Sequence, residues 1–274
     1  MIKPFYNSKQ IDRYFTLPQN ELWVIYTNSY FKDPKSMNKY PNLKKHLDKF
    51  QRVITSDSKP YGLHRARKET FFKGEKIIVQ RKCPNKPIFS YNDFDCYVSQ
   101  TYFIIKTNRI NLKYLVALLN SSLIEFWLKH KGKMQGNNYQ IDKVPILDIP
   151  IKKIDNTKPF EILVDYIMWL KSNKDKSINE YVDNEFIATE FEKVIDAMVY
   201  ELYFEKELQN KELYFIKYAE QYFKSIENEN NENIPKIIHR AYQSLRERDN
   251  EIRNNLKLLT IRLKDLILPI EKSV

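Results

Sequence analysis

Glycine is almost absent: Gly62, Gly74, Gly132 and Gly136 are the four in 274 residues. Folds that bind nucleotides or S-adenosylmethionine put a glycine-rich turn between a strand and a helix, so that backbone amides can close on phosphate or ribose. No Gly-x-Gly pair, Walker loop or Asn-Pro-Pro-aromatic methylation motif occurs here. A Pro-Asp…Glu-x-Lys nuclease core cannot be placed either. Histidine is scarce, with His46, His64, His130 and His239 far apart, so no spacing marks a metal or triad site. The two cysteines, Cys83 and Cys96, show no zinc spacing; a hairpin bridge is open to them, but isolated buried thiols are the better reading. The N-terminus has no apolar signal region, and no run approaches the roughly 18–20 apolar residues of a membrane span. A soluble cytoplasmic protein is the default expectation.

What is present is a core and an uneven charge. Aliphatic and aromatic residues make up 42% of the chain, which suits a packed interior rather than disorder. The length allows two domains of ordinary size. Residues 1–150 hold 26 Lys+Arg against 12 Asp+Glu, net +14, whereas residues 151–274 hold 20 against 23, net −3. Lysine enrichment from genomic base composition would spread evenly. The asymmetry points instead to an anionic partner for the first half, and nucleic acid comes first because phosphate neutralisation supplies most non-specific affinity.

Along the chain, Trp23-Val24-Ile25-Tyr26 reads as a strand and 40–50 as a helix with Pro41 in its first turn. Three strands are expected at Lys76–Gln80, Ile88–Tyr91 and Tyr97–Ile105, in antiparallel pairing. Leu112–Leu128 is a buried helix that bends or pauses at Asn120-Ser121-Ser122, with Leu115, Leu118, Leu119, Phe126 and Trp127 as its core stripe. A cationic polar loop is expected over 129–140 and an extended edge over 144–151. Beyond about residue 158 only helices are expected: 160–170, a long one near 181–204, one over 211–227, and a last one from Ile234-Pro235 to about 267 with a stripe of Ile252, Leu256, Leu259 and Leu263. That length suggests antiparallel or coiled-coil packing. The fold class is therefore α+β, with a mixed domain at 1–155 and a helical domain at 156–274.

Three basic stretches carry candidate contacts. In Lys59-Pro60-Tyr61-Gly62-Leu63-His64-Arg65-Ala66-Arg67-Lys68, arginine suits phosphate or guanine N7/O6, and Tyr61 suits a backbone phosphate. The candidates there are Lys59, Tyr61, His64, Arg65, Arg67 and Lys68. Arg81, Lys82 and Lys86 lie at a turn between strands. In 129–140, Lys129, Lys131 and Lys133 offer charge to phosphates, while Gln135, Asn137 and Asn138 offer the paired donor and acceptor that match adenine N6/N7, with Tyr139 beside them. Gly132 and Gly136 let the backbone turn where a side chain would obstruct it. The bland alternatives are a solvated loop, a charged hairpin tip and a polar connector.

Taken in order, Phe72–Gln80, Tyr97–Ile105, Leu112–Leu128 with Leu119-Asn120-Ser121, Lys131-Gly132 and Pro145…Pro150 resemble the TaqI-like C-terminal specificity domain of adenine-specific DNA methyltransferases and fused type II restriction–modification enzymes. Lys3-Pro4…Asp12-Arg13-Tyr14 and Tyr40-Pro41-Asn42…His46-Leu47 resemble the same family's opening segment, and Val194–Phe204 the helical tail of its fused members. The resemblance implies a recognition domain that binds double-stranded DNA. A separate methyltransferase domain, in cis or as a subunit and with or without an endonuclease, would bind S-adenosylmethionine and flip the adenine. It further implies no catalysis, metal or cofactor in this chain, which is then a C-terminal fragment or a standalone subunit. Two readings compete: an RNA-binding accessory protein whose tyrosines stack bases, and an assembly module that recruits polyanions non-specifically.

Overall fold

Alternation along one strand sets up the whole arrangement. In the computed structural model, which describes residues 1–53 and 59–273, Lys76–Gln80 forms an interior strand whose Ile77 and Val79 enter one apolar cluster while Ile78 enters another on the opposite face. In chain order the strands are β1 (Ile2–Phe5), β2 (Tyr14–Phe15), β3 (Leu22–Ile25), β4 (Lys76–Gln80), β5 (Lys82–Pro84), β6 (Phe89–Asn92), β7 (Tyr102–Ile105), β8 (Lys133–Gln135) and β9 (Asn138–Gln140). They form a pair β1-β3, a four-stranded sheet β2-β6-β4-β7 and a three-stranded sheet β5-β9-β8. β4 is antiparallel to both β6 and β7, whereas β2 joins β6 in parallel.

Helix α1 (Pro41–Asp48) belongs to the N-terminal part; α2 (Leu112–Leu119) and α3 (Ser122–Lys131) follow the sheet. The expected pause is real: the Asn111 side chain caps α2, and Ser121 Oγ accepts from Ile124 N to cap α3. Leu115, Leu118 and Leu119 are buried, and Phe126 and Trp127 pack at the margin of the same core. Residues 143–147 depart from expectation. They form a short helix, α4 (Lys143–Leu147), rather than an extended edge, because Pro145 falls in a first turn that needs no amide donor.

The second part is helical: α5 (Lys158–Ser172), α6 (Asn184–Tyr203), α7 (Glu205–Gln209), α8 (Ile216–Tyr222), α9 (Ile234–Ser244), α10 (Glu251–Arg262) and α11 (Lys264–Glu271). The expected helix from 234 to 267 is three helices, not a coiled coil. Asn250 starts α10 by accepting from Arg253 N, and the backbone turns again at Leu263. The expected helix over 211–227 shrinks to α8, whose first amides, Phe215 N and Ile216 N, donate to Glu201 Oε2 at 2.6 and 2.8 Å. One apolar cluster runs from Ile77 and Phe89 through α2 and α5 to Ile267 and Ile270, so the core passes beneath both parts. Each fully buried leucine or isoleucine in it contributes roughly 1.5–3 kcal/mol relative to exposure.

Polar groups lock the seam between the parts. Arg13, almost fully buried, reaches Glu192 Oε2 at 3.4 Å, donates to Pro87 O at 3.3 Å and also donates to Asn120 O. Asp196 of α6 accepts from Ser122 N at 2.7 Å and from Ser122 Oγ at 2.6 Å, so the helical part supplies a second cap to α3. Cys83 and Cys96 are separate buried thiols, and burial pushes both up to about 12. No helix among the described residues is long and apolar enough to cross a membrane.

Candidate nucleic-acid interface

The expected loop at 129–140 is a hairpin. Helix α3 runs on to Lys131, and Gly132 then turns the chain into β8; a Cβ at Gly132 would stand 2.4 Å from Leu128 O, which no real side chain tolerates. Gly136, with φ +61°, and Asn137 form the tip, and β9 returns between β8 and β5. The register pairs Lys82 and Lys133 with Gln140, Cys83 and Met134 with Tyr139, and Pro84 and Gln135 with Asn138. Opposed residues share a face, so three cross-strand rows alternate in direction.

The middle row faces inward. Cys83 and Tyr139 are buried, Met134 packs on the core, and Tyr139 Oη donates to the buried Glu125 Oε1 at 3.2 Å. Burial pushes the Glu125 carboxyl up, against the pull of Arg13 and Lys86. The outer rows, Lys82–Gln140–Lys133 and Pro84–Asn138–Gln135, face outward, and Lys82, Lys133, Gln135, Asn137 and Asn138 are exposed. Lys86 is exposed on the tight turn that Asn85 makes at φ +65°. Asp142 lies beside this face, 3.6 Å from Arg81 and 3.5 Å from Lys133. The Arg81 guanidinium also rests over the Phe103 ring at 4.7 Å.

The other candidates divide between surface and interior. His64, Arg65, Lys59 and Lys68 are exposed. Tyr61 is in a small core with Phe31 and Met37, and its hydroxyl donates to Asp48 Oδ1 at 2.6 Å. Arg67 is engaged inside the fold: its guanidinium donates to Tyr102 O, Val98 O and Ser99 O at 3.1, 3.0 and 2.6 Å and lies over Phe72. Lys129 donates to Ser273 O, beyond α11, so it faces the rear helices, and Lys131 rests by the Trp127 ring. The structure thus joins 81–86 and 133–140 in one sheet and leaves Lys129 apart from it.

The segment holding Arg65 meets that sheet through one turn. The strand expected at 97–105 is a strand only from Tyr102; before it, Val98–Thr101 turn over the Arg67 guanidinium. A hollow of about 270 Å³ lies where Arg65, Ser99 and Gln100 line its wall, and another of about 270 Å³ where Thr101, Tyr102, Lys82 and Gln140 do. Ser8, Thr101 and Gln140 are lining residues that sequence reading missed; only the register shows that Gln140 shares a row with two lysines. Among the described residues no glycine leads from a strand into a helix, Gly132 lying on the opposite crossing from α3 into β8, so these residues do not fit an S-adenosylmethionine cradle. Among the described residues no group of three or more His, Cys, Asp or Glu could hold a metal.

Residues 3–151 match the family described as the TaqI-like C-terminal specificity domain. Over 121 residues the chain is 27% identical to the type II methyltransferase M.HincII of Haemophilus influenzae, an alignment covering 39% of this chain and 24% of that protein. The likeness to the type II methyltransferase M.HindII of Haemophilus influenzae strain Rd is the same, 27% over 121 residues, covering 39% of this chain and 23% of that protein. The matched region thus spans about a quarter of either relative.

Proposed function

This chain belongs to the TaqI-like C-terminal specificity domain family, and from that premise we propose that it is the sequence-reading module of an adenine-specific DNA methyltransferase or of a fused type II restriction–modification enzyme. It binds duplex DNA and positions a methyltransferase domain, in cis or as a partner subunit, that binds S-adenosylmethionine and performs the transfer. Lys82, Lys86 and Lys133 on the three-stranded sheet, with Arg65 and Lys68 across the Val98–Thr101 turn, neutralise phosphates. Gln135, Asn137 and Asn138 reach base edges from the hairpin. The single observation that carries this reading is the outward face of β5-β9-β8, where lysines and amide side chains stand in adjacent rows over a sealed inner row.

The RNA reading loses its main support, because most tyrosines of the first part, among them Tyr6, Tyr14, Tyr26, Tyr61, Tyr97, Tyr102 and Tyr139, are buried and cannot stack bases. Competition binding decides between the two. At about 0.15 M salt, labelled duplex DNA should be displaced by duplex DNA far better than by single strands or RNA, and by some duplex sequences better than others. Equal displacement by every polyanion would leave only a non-specific assembly module.

A further inference from the structure

Gln140 sits at the centre of the row Lys82–Gln140–Lys133. Its strand, β9, is the middle one of three, so the row is symmetric about it. Among the described residues its side-chain amide has no protein partner, although the residue is only partly exposed, beside the hollow that Ser8 and Thr101 also line. An amide fixed in position by a central strand, yet unspent on its own protein, is suited to an external donor–acceptor pair.

The flanks give the row its scale. Adjacent strands lie about 4.8 Å apart, so the backbone positions of Lys82 and Lys133 are roughly 9–10 Å from one another across Gln140. The major groove of B-DNA is about 12 Å wide. A sheet of this width enters it with a lysine toward each wall, where the flexible stems reach phosphates of opposite strands. The neighbouring row lacks such flanks, since Asn138 stands between Pro84 and Gln135. Lys133 is 72% exposed where it meets Asp142. Such a pair is worth little, so a phosphate can replace it, while Arg81 stays with Asp142 and balances that carboxylate.

We infer that Gln140 is a base-reading residue that takes an adenine in the major groove, its amide N–H donating to N7 and its amide oxygen accepting from N6–H, while Lys82 and Lys133 clamp the two phosphate backbones on either side. This rests on the duplex-DNA reading proposed above and adds to it the residue and the base.

Selection of binding sites from a randomised duplex library, run with the full chain and its variants, tests the assignment. The unaltered chain should enrich a motif. Gln140→Ala should lose the adenine preference at one position, by roughly 5- to 100-fold, and keep the rest of the motif. Gln140→Glu, which can only accept, should move that position toward cytosine, whose N4 amino group donates. Lys82→Ala and Lys133→Ala should weaken all sequences alike and each lower the salt slope by about 1. Thermal unfolding of each variant should match that of the unaltered chain, because the Gln140 amide holds nothing in place. If the unaltered chain enriches a motif that Gln140→Ala and Gln140→Glu leave intact, or that they weaken evenly at every position, the inference is overturned while the recognition reading stands. No motif from the unaltered chain overturns both.

Discussion

Asn120 turns both ends of its side chain onto the backbone of one residue, Phe89. Phe89 N donates to Asn120 Oδ1 at 3.2 Å, and Asn120 Nδ2 donates to Phe89 O at 2.8 Å. The break between α2 and α3 is thereby fastened to β6, and Arg13 secures the same point by donating to Asn120 O. Everything the site needs, from the direction of α3 to the position of the hairpin it ends in, depends on this joint.

Asn120→Ala should accordingly cost about 2–4 kcal/mol, since two buried peptide groups lose their partners together. Urea denaturation measures it. A loss under about 1 kcal/mol would mean that water or a rearranged backbone replaces the amide.

Arg65 and Arg67 should behave differently although they lie two residues apart. Arg65→Ala should leave stability unchanged, weaken DNA binding and flatten its salt dependence. Arg67→Ala removes the donor to three carbonyls of the Val98–Tyr102 turn and should cost about 2 kcal/mol or more. Thermal unfolding and salt titration separate the two effects, and equal melting temperatures for both variants would contradict the structural role of Arg67.

Burial pushes the Asp196 carboxyl up to about 6, against the downward pull of the two Ser122 hydrogen bonds and of Arg13. The folded state therefore binds this proton more readily than the unfolded state, whose value is near 3.8. The stability this group contributes is fully present below about 4 and is lost as pH rises through 6. Glu192 beside it has the opposite sense: burial raises it, but Arg13 and Lys171 outweigh burial and hold it low. Comparing Asp196→Asn with the unaltered chain isolates the first group. The variant should gain stability relative to the unaltered chain at pH 7.5, and that gain should shrink toward pH 4.5. A pH-independent difference would contradict the raised value.

Gly132→Ala should destabilise the chain by roughly 1–3 kcal/mol, because the new methyl meets Leu128 O, and should weaken DNA binding by tilting the hairpin. Gly136→Ala, with open space around its Cβ but φ +61°, should cost only about 1 kcal/mol. Equal effects at the two positions would refute the distinction.

Much of this was legible in the residues. The three consecutive β-branched residues at 77–79, the apolar run of α2 and the Asn-Ser-Ser break each announce themselves locally, and the structure keeps them. The hairpin was not legible, because strands of three residues are too short for alternation to register, and their third partner, β5, lies about fifty residues earlier. Tyr61 and Arg67 sit in a basic stretch that looks solvated, yet Phe31 and Asp48 bury the one and the Val98–Tyr102 carbonyls take up the other. The division of the C-terminal helices was hidden for a similar reason, since α8 is capped by Glu201, a carboxylate of another helix.

Hydrogen–deuterium exchange of the full chain with and without saturating duplex DNA tests most directly whether the outward face of β5-β9-β8 is where DNA lies. Amides of 82–86 and 133–140, with those of 64–68, should gain protection on binding while α9, α10 and α11 stay unchanged. Protection concentrated on those rear helices, with the hairpin unaffected, would contradict the account.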